Sequence, residues 1–127
     1  MALRCLIVDD SADFIAAARD LLERQGLDVV GVASSGTEAL VSAEQARPDV
    51  ALIDIDLGEE SGLDLAQRLS GTAGLEHLPL VLISTYSEKD FADVIATSPA
   101  VGFLTKSTLS ASAIRDLLAD ASARRDT

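Results

Sequence analysis

Cysteine and histidine each occur once in the 127 residues, and 10 basic residues stand against 21 acidic ones. Each shortage excludes a class of function. One cysteine, Cys5, cannot build an internal disulfide framework or a cysteine-based zinc site. It lies in the apolar run Leu3 to Val8, where a small buried hydrophobe is the ordinary reading. His77 cannot build a histidine-rich metal site either; its surroundings, Leu75 to Pro79, read as a loop before a strand, and it is given no role. The net charge of −11 and a sequence pI near 4.2 repel a duplex, since nucleic-acid affinity is mostly phosphate neutralisation by Lys and Arg. An anionic membrane is repelled for the same reason. No apolar stretch approaches the ~20 residues of a membrane span. The N-terminal apolar run meets Asp9 and Asp10 too soon to be a signal-peptide core. The expected setting is soluble, reducing and cytoplasmic.

What the chain does have is apolar residues, 48% of the total, and they follow two alternating periods. Short continuous runs predict strands: Leu6–Val8, Val29–Val32, Val50–Ile53, Leu80–Ile83 and Val101–Leu104. Between them, helical spacing predicts five helices. Ser11 or Asp13 caps the first, which carries Phe14, Ile15, Ala18, Leu21 and Leu22 and stops at Gly26. Ser35 starts the second, through Ala39, Leu40 and Ala43 to Pro48. The third carries Leu65 and Leu69, and the fourth Phe91, Val94 and Ile95. Ser110 caps the last, through Ile114, Leu117, Leu118 and Ala121. Strands that are apolar at every position belong to a parallel sheet covered on both faces. The expected fold is therefore α/β, doubly wound, a (βα)5 five-stranded parallel sheet in one domain over residues 1–123, with 124–127 as a tail. There are no repeats or low-complexity tracts.

Such sheets place ligand sites at the carboxyl ends of their strands. The first strand ends in Asp9-Asp10, the third in Asp54, the fourth in Ser84, and the fifth leads to Lys106. The fold would bring all five to one edge. Three crowded carboxylates repel one another unless a cation neutralises them, and a hard divalent ion with oxygen ligands and retained waters, such as Mg²⁺, suits them. Metal, hydroxyl and ammonium converging on one carboxylate can stabilise a transferring phosphoryl group.

The chain resembles the receiver domains of bacterial two-component response regulators, whose fold is the flavodoxin-like arrangement expected above. Leu6-Ile7-Val8-Asp9-Asp10 is similar to the family's opening acidic pair, and Pro48 to Asp54 to the stretch ending in its phosphoacceptor. Ser84 stands at the Ser/Thr position and Gly102-Phe103-Leu104-Thr105-Lys106 at the aromatic-plus-lysine segment; the separations 44, 30 and 22 along Asp10, Asp54, Ser84 and Lys106 agree as well. The resemblance implies a phosphorylation-dependent signalling switch rather than a metabolic enzyme. Asp54 would accept a phosphoryl group from a phosphohistidine. Asp10, Asp54 and the backbone carbonyl of Asp56 would ligate Mg²⁺, with Asp9 acting through water. Ser84 and Lys106 would bind the phosphoryl group, and Ser84 with Phe103, the ring moving inward, would form the switch. Asp56 and Tyr86 occupy positions that tune dephosphorylation, a ring at Tyr86 shielding the acyl phosphate.

Two departures from the pattern and one retained glycine carry expectations. Gly58 stands where the family commonly has Pro, which implies a looser loop after Asp54. Gly62 keeps the usual later glycine, available for a positive φ. Ser107 replaces the frequent Pro after the lysine; a cis bond there would cost about 3 kcal/mol, so Lys106–Ser107 is expected to be trans.

The implied partners are a sensor histidine kinase or a phosphotransfer protein, with no direct contact to nucleic acid or membrane by this chain; DNA would be reached only through an output domain. The readout face would be the fourth helix, fifth strand and fifth helix, residues 86–118. Lys89, Asp90, Asp93, Arg115 and Asp116 put both charge signs there, which admits a homodimer contact, although solvated helix faces are the commoner meaning of such a pattern. Gly26 to Gly36 is weakly similar to receivers that precede LuxR-type helix-turn-helix domains. Two other readings compete: a receiver-like interaction module that works unphosphorylated, and a phosphatase built on Asp54-Ile55-Asp56. The intact acidic, hydroxyl and lysine set argues against the first. The second needs its DxD motif on the first strand and a second acidic cluster downstream, which this chain lacks.

Overall fold

The structure, a computed structural model, describes residues 2–86, 89 and 92–125, with the backbone only for 94 and 122–125. Asp90, Phe91, the side chain of Val94, and Asp126 and Thr127 thus lie outside the described residues. Five strands form one sheet: β1 (Arg4–Val8), β2 (Asp28–Ala33), β3 (Val50–Asp54), β4 (Leu80–Ser84) and β5 (Gly102–Thr105). All four pairings are parallel, and the order is β2-β1-β3-β4-β5. The chain order reverses direction beside β1 and β3, so a crevice opens where their carboxyl ends meet.

The central strands β1, β3 and β4 are apolar along most of their length because consecutive side chains enter different cores. Leu6, Val8, Ala51, Ile53, Leu80 and Leu82 face one cluster, with Ala39, Ala43, Leu65 and Leu69 from the helices above it. Cys5, Ile7, Val50, Leu52, Val81 and Ile83 face the other, with Ala18, Leu22 and Ile114. Helices α2 (Gly36–Ala46) and α3 (Gly62–Ser70) therefore cover one face and α1 (Ala12–Arg24) and α5 (Ala111–Arg125) the other. The short α4 (Ala92–Thr97) sends Ile95 to the first cluster. Burial in this packing pushes the Cys5 thiol up to about 12, as befits an inert core residue.

Helix starts follow side-chain capping, in which a hydroxyl accepts an otherwise orphan N–H. Ser11, not Asp13, caps α1, its Oγ accepting from Phe14 N at 3.2 Å. Ser35, Ser61 and Ser110 do the same for α2, α3 and α5. The Gln25 side chain, just past α1, accepts from Ala111 N at 2.7 Å and fixes the start of α5. Gly26, at φ +93°, turns the chain out of α1. Helix α5 runs through Arg125, two residues into the stretch read as a tail.

The segment between β3 and α3 departs from the sequence reading. It is a small antiparallel hairpin, Asp56–Leu57 with Glu60–Ser61, pairing Leu57 with Glu60. Gly58 and Glu59 form its two-residue turn, and the positive φ is at Gly58, +75°; glycine at the first central position is the type II′ signature. The segment is thus a hairpin and not an irregular loop. Gly62 has no positive φ. Its missing Cβ is needed instead for space: one built there would lie 1.9 Å from the Asp54 carbonyl oxygen and 2.9 Å from Ile55 Cα. The expected role of Gly62 is corrected accordingly. The Lys106–Ser107 bond is trans, as no described residue has a cis bond.

Two glycines at the ends of α3 give opposite forecasts. Gly62→Ala should lower stability by about 1–3 kcal/mol or more, because backbone has to move. Gly71, where a Cβ would meet nothing nearer than 3.4 Å, should accept alanine within about half a kcal/mol of neutrality. Paired urea melts check this, and equal losses would refute the steric account.

Candidate functional site

The parallel register delivers the predicted residues to one edge. Val8 pairs with Ile53, Asp54 with Ile83 and Ser84 with Thr105, so the residues that follow or end these strands lie side by side. Asp10, Asp54, Asp56, Ser84 and Tyr86 line one cleft of about 640 Å³, together with Gly58, Glu59 and Glu60. Asp9 lies beneath it, wholly buried, while Asp54 is 6% and Ser84 4% exposed.

Lys106 joins the cleft from the α1 side. Its ammonium lies 2.7 Å from Asp9 Oδ2 and 3.1 Å from Asp54 Oδ2. The same ammonium sits 4.3 Å from the centroid of the Phe14 ring, a cation–π contact worth about 0.5–2 kcal/mol depending on its hydration. Burial works against the charge on Lys106, but hydrogen bonding and attraction from Asp9 and Asp54 outweigh it and hold its pKa above the ordinary value. For Asp54 burial wins. It pushes the carboxyl from 3.8 up to about 6, despite the Asp56 N–H and Lys106, which pull down, and with help from the Asp9 charge.

The remaining bonds show how each group is aimed. Asp54 Oδ1 accepts from Asp56 N at 3.1 Å, and Asp9 Oδ1 from Ser11 N at 2.8 Å. Asp9 Oδ2 is fully buried and, apart from its charge pairing with Lys106, accepts no directed hydrogen bond. Ser84 Oγ accepts from Tyr86 N at 3.1 Å, which leaves its hydroxyl proton free to point elsewhere.

Oxygen atoms of Asp9, Asp10 and Asp54 all lie within 4.8 Å of one another. A donor set of carboxylate oxygens only, one of them buried and lacking a directed bond, fits a hard divalent cation such as Mg²⁺. The Asp10 side is open to water, as an ion retaining part of its hydration requires.

Two expected roles look different in the fold. Phe103 is already inward, 9% exposed and part of the core cluster under α2 and α3. Tyr86 does line the cleft, but at 64% exposure it stands at the rim and not as a cover. Asp56 is exposed, and its side chain accepts from Gly58 N at 3.2 Å. Sequence reasoning missed Phe14, taken only for the apolar face of α1, although an aromatic one turn after the acidic pair was a usable signal. It also missed Glu60, whose partner lies 24 residues away.

Comparison with known proteins agrees with this geometry. Residues 5–119 match the family described as response regulator receiver domain. The polar-differentiation response regulator DivK of Brucella ovis is 30% identical over 106 residues, 84% of this chain and 85% of DivK. A putative transcriptional regulator of Pseudomonas aeruginosa is 37% identical over 81% of this chain, and the transcriptional regulatory protein PdtaR of Mycobacterium tuberculosis 28%. The chain spans only 49% of the length of those two relatives. Among solved structures, the signal receiver domain of a modulated diguanylate cyclase from Desulfovibrio desulfuricans is 31% identical with a TM-score of 0.77, covering 99% of this chain and 98% of that one. The chemotaxis protein CheY4 of Vibrio cholerae, 22% identical with a TM-score of 0.76 and 98% coverage of both chains, shares the fold. No described helix is long and apolar enough to cross a membrane. With carboxylates, hydroxyl and lysine gathered at the predicted edge and the family match spanning nearly the whole chain, this protein belongs to the receiver domains of two-component response regulators.

Proposed function

We propose that the chain is a phosphorylation-dependent switch that takes a phosphoryl group onto Asp54 from the phosphohistidine of a histidine kinase or phosphotransfer protein. The observation that carries this reading is the Asp54 carboxylate, buried at the end of the central strand with Lys106 3.1 Å from one oxygen and a backbone N–H on the other. A carboxylate oxygen of Asp54 forms the new P–O bond as the P–N bond breaks and the imidazole leaves. Lys106 stays beside the acceptor and neutralises charge on the phosphoryl oxygens. Ser84, whose Oγ accepts from Tyr86 N, donates a hydrogen bond to the phosphoryl group. Asp10, Asp54 and the Asp56 carbonyl would hold Mg²⁺, with Asp9 acting through water. When bound, the cation shields the transferring phosphate from the carboxylates. The only chemistry is the chain's own phosphorylation and dephosphorylation, which sets it apart from a metabolic enzyme and from a phosphatase. The setting is the bacterial cytoplasm.

A switch needs contacts that differ between its two states. Ser84 and Lys106 lead directly into α4, β5 and α5, so these elements carry the signal outward to a partner or a second copy of the chain. Because Phe103 is already buried, its part is to lock the inward arrangement rather than to travel a long way. Both charge signs lie on this face among the described residues: Lys89, Asp93, Arg115 and Asp116 are all exposed.

Three outcomes are expected. With a small phosphodonor and Mg²⁺, the wild-type chain labels on Asp54; Asp54→Asn abolishes the label, Lys106→Ala slows it by about a hundredfold, and chelator stops it. A label that persists in Asp54→Asn moves the acceptor elsewhere. Amide exchange with a phosphate mimic and Mg²⁺ should change residues 86–118; changes confined to α1 and α2 would refute the proposed readout face. The third concerns pH. Asp54 is held at about 6 in the fold against 3.8 ordinarily, so between those values the native state binds more protons than the unfolded one. Stability of the metal-free protein should therefore fall as pH rises from 3.8 to about 6 and then level off. Asp54→Asn should lack that loss, and Mg²⁺ should reduce it in the wild type. Denaturant melts across this range decide the matter; parallel curves for the two proteins would contradict it.

A further inference from the structure

The hairpin after β3 holds the Asp56 carbonyl, and its own bonds are almost all local. Asp56 N reaches Asp54 Oδ1, Gly58 N reaches Asp56 Oδ1, and Gly62 N reaches Ile55 O. A pair of two-residue strands does not hold a position by itself. Among the described residues, one side-chain hydrogen bond ties the hairpin to an element distant in sequence: Glu60 Oε2 accepts from Gly36 N at 2.9 Å.

Gly36 is the first residue of α2. Its N–H is one of the donors a helix start leaves without an internal partner, and Ser35 is engaged with Glu38 instead. A carboxylate there accepts a charge-assisted bond and meets the positive end of the helix dipole. The anchor is rigid, because Ala39 and Ala43 of α2 are fully buried against the sheet. The seat also depends on glycine. A Cβ on Gly36 would lie 2.5 Å from Glu60 Oε2 and 3.1 Å from Arg68 Nη1, so the Glu60 carboxylate would be displaced. At the other end of the hairpin, Gly58 lies against the acidic cluster, the position of its missing Cβ being 3.1 Å from Asp10 Oδ2.

We infer that Glu60, seated on Gly36, is a positioning residue that holds the hairpin over the cation site and thereby sets its affinity for Mg²⁺. It acts by hydrogen bonding across to α2 and not by adding charge to the site. The inference rests on the proposed reading of the cleft as a Mg²⁺ site, and it extends that reading to a contact 24 positions apart in sequence.

Calorimetric titration of the full chain with Mg²⁺ tests it. Glu60→Ala and Gly36→Ala should each raise the dissociation constant about threefold to tenfold, the factor that one net hydrogen bond corresponds to. Glu60→Gln keeps an acceptor oxygen without the charge and should stay within about twofold of wild type. Gly36→Ala adds the sharper contrast: alanine favours a helix over glycine, so thermal stability should hold or rise while Mg²⁺ affinity falls. A purely structural contact would move both in the same direction. If Glu60→Gln weakens binding as much as Glu60→Ala, charge is the cause and the positioning role is overturned. Unchanged binding in Glu60→Ala and Gly36→Ala overturns it too. If the wild-type chain binds no Mg²⁺ at all, the underlying reading of the cleft fails instead.

Discussion

A half-buried lysine between two buried carboxylates governs this structure. Asp9 and Asp54 are taken out of water at the end of adjacent strands, and Lys106, from a third, supplies the compensating charge. A buried ion pair of this kind is weak evidence for stability, because desolvation consumes much of the attraction. Here the compensation is incomplete: one cation faces two carboxylates, with a third, Asp10, close by. Burial is the main cause of the raised Asp54 carboxyl, and the Asp9 charge adds to it. Burial and incomplete charge pairing therefore act on the same atoms, which suits the cation and phosphoryl group proposed for this cleft.

The fold itself was legible almost entirely from hydrophobic period. Continuous apolar strands mean two covered faces, and the structure assigns alternate residues of β1, β3 and β4 to opposite cores as that rule requires. Capping chemistry was readable too: Ser35 and Ser110 begin their helices as expected, and Ser11 prevails over Asp13. The site residues were legible because doubly wound sheets put strand ends together, so that spacing along the chain becomes proximity in space.

What escaped is what depends on tertiary distance or on the shape of one turn. Gly62 reads as conformational freedom, yet its requirement is empty space beside the Asp54 carbonyl; nothing in a one-dimensional pattern distinguishes the two. The Gly58-Glu59 turn carried a recognisable signal, but the flanking strands are two residues each, too short for an alternation to show. Phe14 belongs to an apolar helix face by every local criterion, and only the approach of β5 makes it a seat for an ammonium. The inward placement of Phe103 likewise comes from its packing in the cluster under α2 and α3, which a list of apolar residues does not contain.

The strand order has a consequence for how activity is lost. Four contiguous strands, β1, β3, β4 and β5, each supply or lead to a member of the site, and β2, at one edge, supplies none. Edge elements open first in local unfolding, at free energies well below that of the whole domain. Fraying from the β2 side leaves the acidic cluster assembled, whereas fraying from the β5 side removes the lysine and leaves three carboxylates facing one another. The two margins of one sheet are thus unequal: opening at the first leaves the carboxylates and the lysine together and disturbs only the Gly36 seat that follows β2, whereas opening at the second, a four-residue strand, takes apart the charge pairing itself.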